Sequence, residues 1–162
     1  MKTTTEIATT PKPATAEKDA IALLRADHRT VSGLFAEYEK TRSNAKKRAL
    51  VTEICRALTV HTQIEEEIFY PAIKAVLKDK LLLPEATVEH GGIKDLIAQL
   101  EGLEPDGEMY DAKVKVLSEY VEHHVEEEQS EMFPKVKASS LDLAKLGARM
   151  AARKADLLAA LG

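Results

Sequence analysis

The pattern His, three residues, Glu occurs twice in this chain, each time running into an acidic stretch, an aromatic residue and a proline. The first copy reads His61-Thr62-Gln63-Ile64-Glu65-Glu66-Glu67-Ile68-Phe69-Tyr70-Pro71. The second reads His123-His124-Val125-Glu126-Glu127-Glu128-Gln129-Ser130-Glu131-Met132-Phe133-Pro134. Positions four apart on a helix lie one above the other on a single face. His61 with Glu65, and His124 with Glu128, therefore each offer an imidazole nitrogen and a carboxylate to one point in space. Those donors suit iron, manganese or zinc. Two such helices facing each other can hold two metal ions with the carboxylates bridging.

The rest of the chain reads as helices that fit this demand. From Lys18 to about Thr41, residues Ile21, Leu24, Val31, Leu34, Phe35 and Tyr38 form one apolar stripe, and His28 sits inside it four residues after Leu24. Ser43-Asn44 is a stop with N-cap chemistry. A second helix running to about Lys78 carries Leu50, Ile54, Leu58, His61, Ile64, Glu65 and Ile68 on one face, and Pro71 should kink it. A third begins at Pro84 with the stripe His90, Ile93, Ile97, Leu100 and ends at Gly102. Asp106 is placed to cap a fourth, which reaches about Ala138 with Val114, Leu117, Val121, His124, Glu128 and Met132 facing in. Ser139-Ser140 caps a last helix carrying Leu143, Leu146, Met150, Leu157, Leu158 and Leu161. No period-two run suggests a strand.

Short connections imply antiparallel neighbours, so the expected fold is all-α: an up-down-up-down four-helix bundle with an additional C-terminal helix. The expected organisation is a disordered tail over 1–17, too polar to repay its ordering, the bundle over 18–138, and a helix over 139–162 packed on it. One connection is unbalanced: residues 79–83 must climb back along the bundle to bring His90 level with His61.

Composition removes several functions. The formal net charge is −4, so no basic field invites nucleic acid or an anionic membrane. No apolar run is long enough to span a bilayer. A single cysteine, Cys55, rules out an internal disulfide and a cysteine-based zinc site, and favours a reducing cytoplasm.

A histidine on one apolar stripe is ordinarily a hydrogen-bonded core residue. Here each bundle helix carries one, and two add a Glu at plus four, which is costly to bury unless paired or bound to metal. The metal-ligand set is therefore His28, His61, Glu65, His90, His124 and Glu128. His123 and Glu127 are also four apart and remain the rival pair, although the stripe through Leu117 and Val121 favours His124. Glu66, Glu67, Glu126, Glu127 and Glu131 read as solvated faces. The second motif holds one more residue between His and Phe than the first, which a local π-bulge can absorb.

This arrangement resembles the hemerythrin-like, or HHE cation-binding, family: His in helix one, His-x-x-x-Glu in helix two, His in helix three, His-x-x-x-Glu in helix four. The resemblance covers about Asp19 to Lys137. It implies two non-heme iron ions, an oxo- or hydroxo-bridged di-iron centre, with Glu65 and Glu128 bridging. Oxygen-carrying members have a second His four residues after the helix-three His; here that position is Lys94, whose long side chain is expected to extend to solvent and leave a coordination position open, the alternative being that a carboxylate such as Glu66 or Glu127 pairs with it and is held back from the metal. Ferritin-like bundles use Glu-x-x-His instead, and no His here has Glu three residues before it.

Two functional readings follow. One is a protein that binds or senses oxygen, nitric oxide or iron, with a protein partner if it is a sensor. The other is a di-iron enzyme acting on peroxide, catalase- or peroxidase-like. A purely structural bundle is disfavoured by the two buried His–Glu pairs.

Overall fold

A computed structural model describes residues 19–162; the tail expected over 1–17 lies outside the described residues. Among the described residues there is no strand. Helix α1 spans Ala20–Lys40 and α2 spans Asn44–Ile64. A π-helical turn, π1, covers Glu65–Phe69 and runs straight into α3, Tyr70–Lys74. Helix α4 spans Leu82–Glu101 and α5 spans Glu108–Glu127. A second π-turn, π2, covers Glu128–Met132 and leads into α6, Phe133–Lys137; α7, Leu143–Leu161, closes the chain. The result is five helical rods, the second and fourth each interrupted by a π-turn. Helix α1 packs on α2, α4 on α5, and α7 lies against α1, α2 and π1. No described helix is long and apolar enough to cross a membrane.

The helix starts follow capping chemistry. Asp19 Oδ1 accepts from the Ala22 N–H at 2.8 Å, and Ser43 Oγ accepts from Lys46 at 3.3 Å. Two expected caps are displaced. Asp142, not Ser139-Ser140, caps α7, accepting from Lys145 N–H at 3.0 Å. Gly107, not Asp106, is the N-cap of α5; its φ of 115° is a conformation that glycine alone takes cheaply. The climb-back segment is pinned at both ends by buried Leu77 and Leu82. The second helix stops at Lys74 and α4 starts at Leu82, before Pro84, so the return is longer and less strained than the sequence suggested.

The π-turns correct the register argument. A bulge was expected in the second motif only, to absorb an extra residue. Both motifs contain one, and they align on proline rather than on phenylalanine: Pro71 and Pro134 each fall ten residues after the inward His. A proline inside a helix cannot donate to the carbonyl four residues back and its ring crowds that carbonyl. Opening the ladder to a five-residue bond removes both problems, and the Tyr70 N–H bonds to Glu65 O while the Phe133 N–H bonds to Glu128 O. Residues five apart then share the inner face, so Glu65 with Tyr70, and Glu128 with Phe133, are buried together.

Two apolar layers sandwich the level of the histidines. One gathers Ile21, Leu24, Ile64, Phe69, Ile73, Phe133, Val136 and Met150; the other gathers Val31, Phe35, Ile54, Leu58, Ile93, Ile97, Val114 and Leu117. Truncating Phe69 or Phe133, both fully buried, to alanine would cost about 3–5 kcal/mol. Each of the four stripes is apolar above and below its histidine, which leaves the polar residues as one buried layer.

Candidate metal centre

That layer holds His28, His61, Glu65, His90, His124 and Glu128, all buried, with Glu65 and His90 fully so. Their inward atoms form two groups. His28 and His61 meet Glu128, and His90 and His124 meet Glu65, with one ligand atom from each residue lying within 4.8 Å of the others in its group. The carboxylates link the groups. Glu128 Oε1 lies 3.2 Å from His28 Nε2, while its Oε2 lies 3.3 Å from His124 Nε2. Glu65 Oε1 lies 3.0 Å from His61 Nε2 and 3.3 Å from His90 Nε2. His90 Nε2 and His124 Nε2 are 3.2 Å apart.

The outward nitrogen of each imidazole has its own partner. His61 Nδ1 meets Asp27 Oδ2 at 3.0 Å, His90 Nδ1 meets Glu66 Oε1 at 3.3 Å, His124 Nδ1 meets Glu89 Oε1 at 2.9 Å, and His28 Nδ1 meets Gln129 Oε1 at 2.9 Å. Each partner is the sequence neighbour of one inward residue and holds the ring of the next helix: α1 holds α2, π1 holds α4, α4 holds α5, and π2 holds α1. The ring of contacts closes around the bundle. In the neutral ring, holding Nδ1–H on an acceptor fixes the tautomer with the Nε2 lone pair turned inward, the arrangement typical of metal-bound histidine.

Whether a cation fits can be asked of the inward atoms alone. His28 Nε2, His61 Nε2, both oxygens of Glu65 and Glu128 Oε1 are buried and have no hydrogen-bonding partner among the described residues. Several approach one another within 3.0–3.3 Å, yet without the alignment of a hydrogen bond: they converge instead of pairing. An unsatisfied buried polar group costs about 1–3 kcal/mol, so five in one place call for a common partner. Imidazole nitrogens with carboxylate oxygens are suited to a divalent cation.

Residues 19–136 match the family described as the hemerythrin HHE cation binding domain. The chain belongs to that family. A crystal structure of an HHE cation binding domain-containing protein from Mycobacterium kansasii superposes with a TM-score of 0.73 at 27% identity, covering 86% of this chain and 87% of that one. An uncharacterized protein of Mycobacterium tuberculosis is 27% identical over 139 residues, 83% of this chain and 84% of its own. A DNA nickase of Nostoc sp. is 27% identical over 115 residues, 71% of this chain; the match spans only 32% of the nickase.

In this HHE domain the charges of the buried layer are coupled. Burial opposes a charge on His61, but the carboxylates of Glu65, Asp27 and Glu128 outweigh it and push the imidazole up to about 10. His124 is likewise disfavoured by burial, yet Glu128 and Glu65 push it up to about 11. Burial works against the Glu65 carboxylate, and His61, His124 and His90 together hold it well below the ordinary range.

Three positions needed the structure. Of the rival pair, His124 points into the layer, while the His123 side chain is 72% exposed and meets Glu89 and Glu127 at the surface. Lys94 does reach outward, half exposed, but it does not end free in solvent: Nζ lies 2.7 and 2.6 Å from the two oxygens of Glu66. Glu66 is therefore no solvated face, because it joins Lys94 to His90. Tyr70 was only one of several tyrosines in the sequence. Its hydroxyl donates to Glu128 Oε2 at 2.8 Å and lies 3.3 Å from both His90 Nε2 and His124 Nε2. The signal for it was Tyr-Pro in the first motif standing where the second has Phe-Pro. The anchors Asp27, Glu66, Glu89 and Gln129 carried a fainter signal, a polar residue immediately beside each inward residue.

Proposed function

We propose that this HHE domain holds two iron ions side by side and presents them to a small oxygen-containing ligand: oxygen, nitric oxide or peroxide. The observation that carries the reading is the convergence of five partnerless buried donor atoms on one layer. His28, His61 and Glu128 Oε1 would hold one ion; His90, His124 and Glu65 would hold the other; the two carboxylates reach both. When bound, such an ion pair supplies open coordination positions and one-electron exchange. The chain's own contribution is orientation and dryness. The Nδ1 contacts aim four lone pairs inward, and Phe69, Phe133 and Ile64, all fully buried, close one side of the layer to water. The single cysteine supports a reducing, cytoplasmic setting, and a sensing role would require a protein partner.

The test is iron content of the purified chain with its optical response to nitric oxide or azide. Two irons per chain and a changed spectrum are expected. Fewer than two irons after anaerobic loading, or a spectrum indifferent to both probes, would overturn the reading.

Tyr70 favours a second reading, in which the ligand is hydrogen peroxide and is consumed. Burial, with the carboxylates of Glu65 and Glu128, holds its phenol well above the ordinary value, so the hydroxyl keeps its proton at neutral pH. That proton is donated to Glu128 Oε2 at 2.8 Å, and the hydroxyl oxygen stands 3.3 Å from the inward nitrogens of His90 and His124, within reach of a small ligand that needs a proton donor. Loss of peroxide with the iron-loaded chain, assayed with and without an added electron donor, separates the readings: turnover in either assay supports consumption, and turnover in neither restricts the protein to binding.

A further inference from the structure

Three of the four Nδ1 acceptors have a second partner, and one of those partners comes from outside the bundle. Glu66 is met by Lys94 of α4 and Glu89 by His123 of α5, both within the four bundle rods. Asp27 is met by Lys154 of α7. Its Oδ1 takes Lys154 Nζ at 2.5 Å while its Oδ2 takes His61 Nδ1 at 3.0 Å. The Asp27 side chain is 11% exposed, so a carboxylate there is expensive unless both oxygens are engaged. Helix α7 lies wholly beyond the residues that match the family, 19–136. It is seated by buried Leu146 and Met150, by Arg153 on Glu67 at 2.8 and 3.2 Å, and by Arg56 Nη2 donating to the Leu158 carbonyl at 2.9 Å. Lys154, Asp27 and His61 thus form one line across three helices, α7, α1 and α2.

We infer that Lys154 is a positioning residue of the metal centre: through Asp27 it fixes the His61 ring, and it thereby couples the seating of α7 to retention of the cation in the His28–His61–Glu128 half. This rests on the two-cation reading above. The physical basis is rotational. A carboxylate held on one oxygen only can turn; held by an ammonium on the other, it keeps its free lone pair on Nδ1–H and keeps Nε2 aimed inward. Losing such an outer partner typically costs 10–100-fold in metal affinity. Coupling is reciprocal, so cation binding must tighten the seating of α7 by the same factor.

The test uses the full chain, loaded with ferrous iron under nitrogen and challenged with a chelator, in three variants. Lys154→Met should release one of its two irons about 10–100-fold more readily than the wild type and the other at the wild-type rate. Lys154→Arg, which keeps the charge, should hold both. Arg153→Met weakens the seating of α7 but leaves the line intact, so its loss of iron should fall between wild type and Lys154→Met. Hydrogen exchange supplies a readout independent of chelation: α7 amides should be better protected in loaded than in stripped wild type, and this difference should vanish in Lys154→Met. The inference is overturned if Lys154→Met keeps both irons, if Lys154→Arg loses iron as readily as Lys154→Met, or if Arg153→Met loses it more readily than Lys154→Met. It is also overturned if α7 protection is indifferent to iron. A wild type that holds no iron sinks the two-cation reading and this one together; a wild type that holds two, with any of the contrary results above, sinks this one alone.

Discussion

The two halves of the buried layer come from the same motif, and they differ by one hydroxyl. In the half formed by His28, His61 and Glu128, the residue before the proline is Phe133, whose ring stacks on His28 with centroids 6.1 Å apart and planes 4° from parallel. In the half formed by Glu65, His90 and His124, the equivalent residue is Tyr70, tilted over His90 at 5.4 Å with its hydroxyl on Glu128 Oε2. Backbone, π-turn and proline are alike. One half is therefore walled by carbon, and the other has a hydroxyl 3.3 Å from its inward nitrogens, its proton donated to Glu128 Oε2. Their outer support differs too, since His28 rests on a neutral amide and the other three imidazoles on carboxylates. The same local backbone thus surrounds the two halves with different side chains.

Removing a bridge should have the largest effect, because it damages both halves together. Glu65→Ala and Glu128→Ala should each leave the chain unable to keep either cation, as measured by metal content after gel filtration. A Glu65→Ala chain with two firmly held ions would mean the halves are independent sites.

Single imidazoles should separate the halves. His61→Ala should spare the ion held by His90 and His124, and His90→Ala should spare the other, leaving about one ion per chain in each case. If either variant loses both ions, the halves fill cooperatively and the division drawn here is too sharp.

Much of this was legible in the sequence, for identifiable reasons. The His-x-x-x-Glu spacing places two donors on a helical face whatever surrounds it, and an apolar stripe interrupted at one level marks that level on each helix. The first π-turn was not legible because the register was read from phenylalanine, a side chain, when proline acts on the backbone. Of the two outcomes open to Lys94, extension to solvent or pairing with a carboxylate, the second is found, with Glu66, and the sequence could not choose because a charge run looks the same whether it faces water or the back of an imidazole. Only the packing of α4 against α2 turns Glu66 towards His90, and no periodicity within one helix contains that information. The caps of α5 and α7 slipped by a residue or more because Ser, Asp and Gly crowd both turns.

Each half also holds one proton that a cation must displace. In the metal-free chain His61 and His124 are pushed up to about 10 and about 11, so both are protonated at neutral pH, and only the neutral ring can ligate. Metal uptake at pH 7 should therefore release protons, and affinity should rise as pH climbs towards about 10. A titration in dilute buffer with a pH electrode reads this directly. Uptake without proton release would mean that the charged pairs are not the resting state of the empty layer.

The hydroxyl difference is tested by Tyr70→Phe, which gives both halves the same aromatic residue before the proline. Both cations should stay, because Tyr70 is not among the ligands assigned here. If the chain consumes peroxide, its turnover of peroxide should fall about 100-fold, the loss expected for a removed proton donor. Unchanged turnover would assign the proton to another group and leave the phenol as packing.

The smallest effect is expected from His123→Ala, and the reason lies in how His123 is connected. It sits next to a ligand in sequence and shares the four-residue spacing with Glu127, yet its side chain is 72% exposed and reaches Glu89 Oε2 only at 3.3 Å and Glu127 Oε2 at 3.5 Å. Exposed pairs of this kind are worth about 0–1 kcal/mol. Its one route to the metal layer is Glu89, whose other oxygen holds His124 Nδ1 at 2.9 Å. Deleting His123 leaves that contact in place and removes only a second tether on the carboxylate. Affinity for the cation on His124 should therefore weaken by no more than about 5-fold, whereas His124→Ala should abolish it. A chelator competition run on both variants decides the matter. Near-equal losses would shift the ligand one residue back, onto His123 and Glu127, and the half that contains Tyr70 would have to be redrawn around the protein surface.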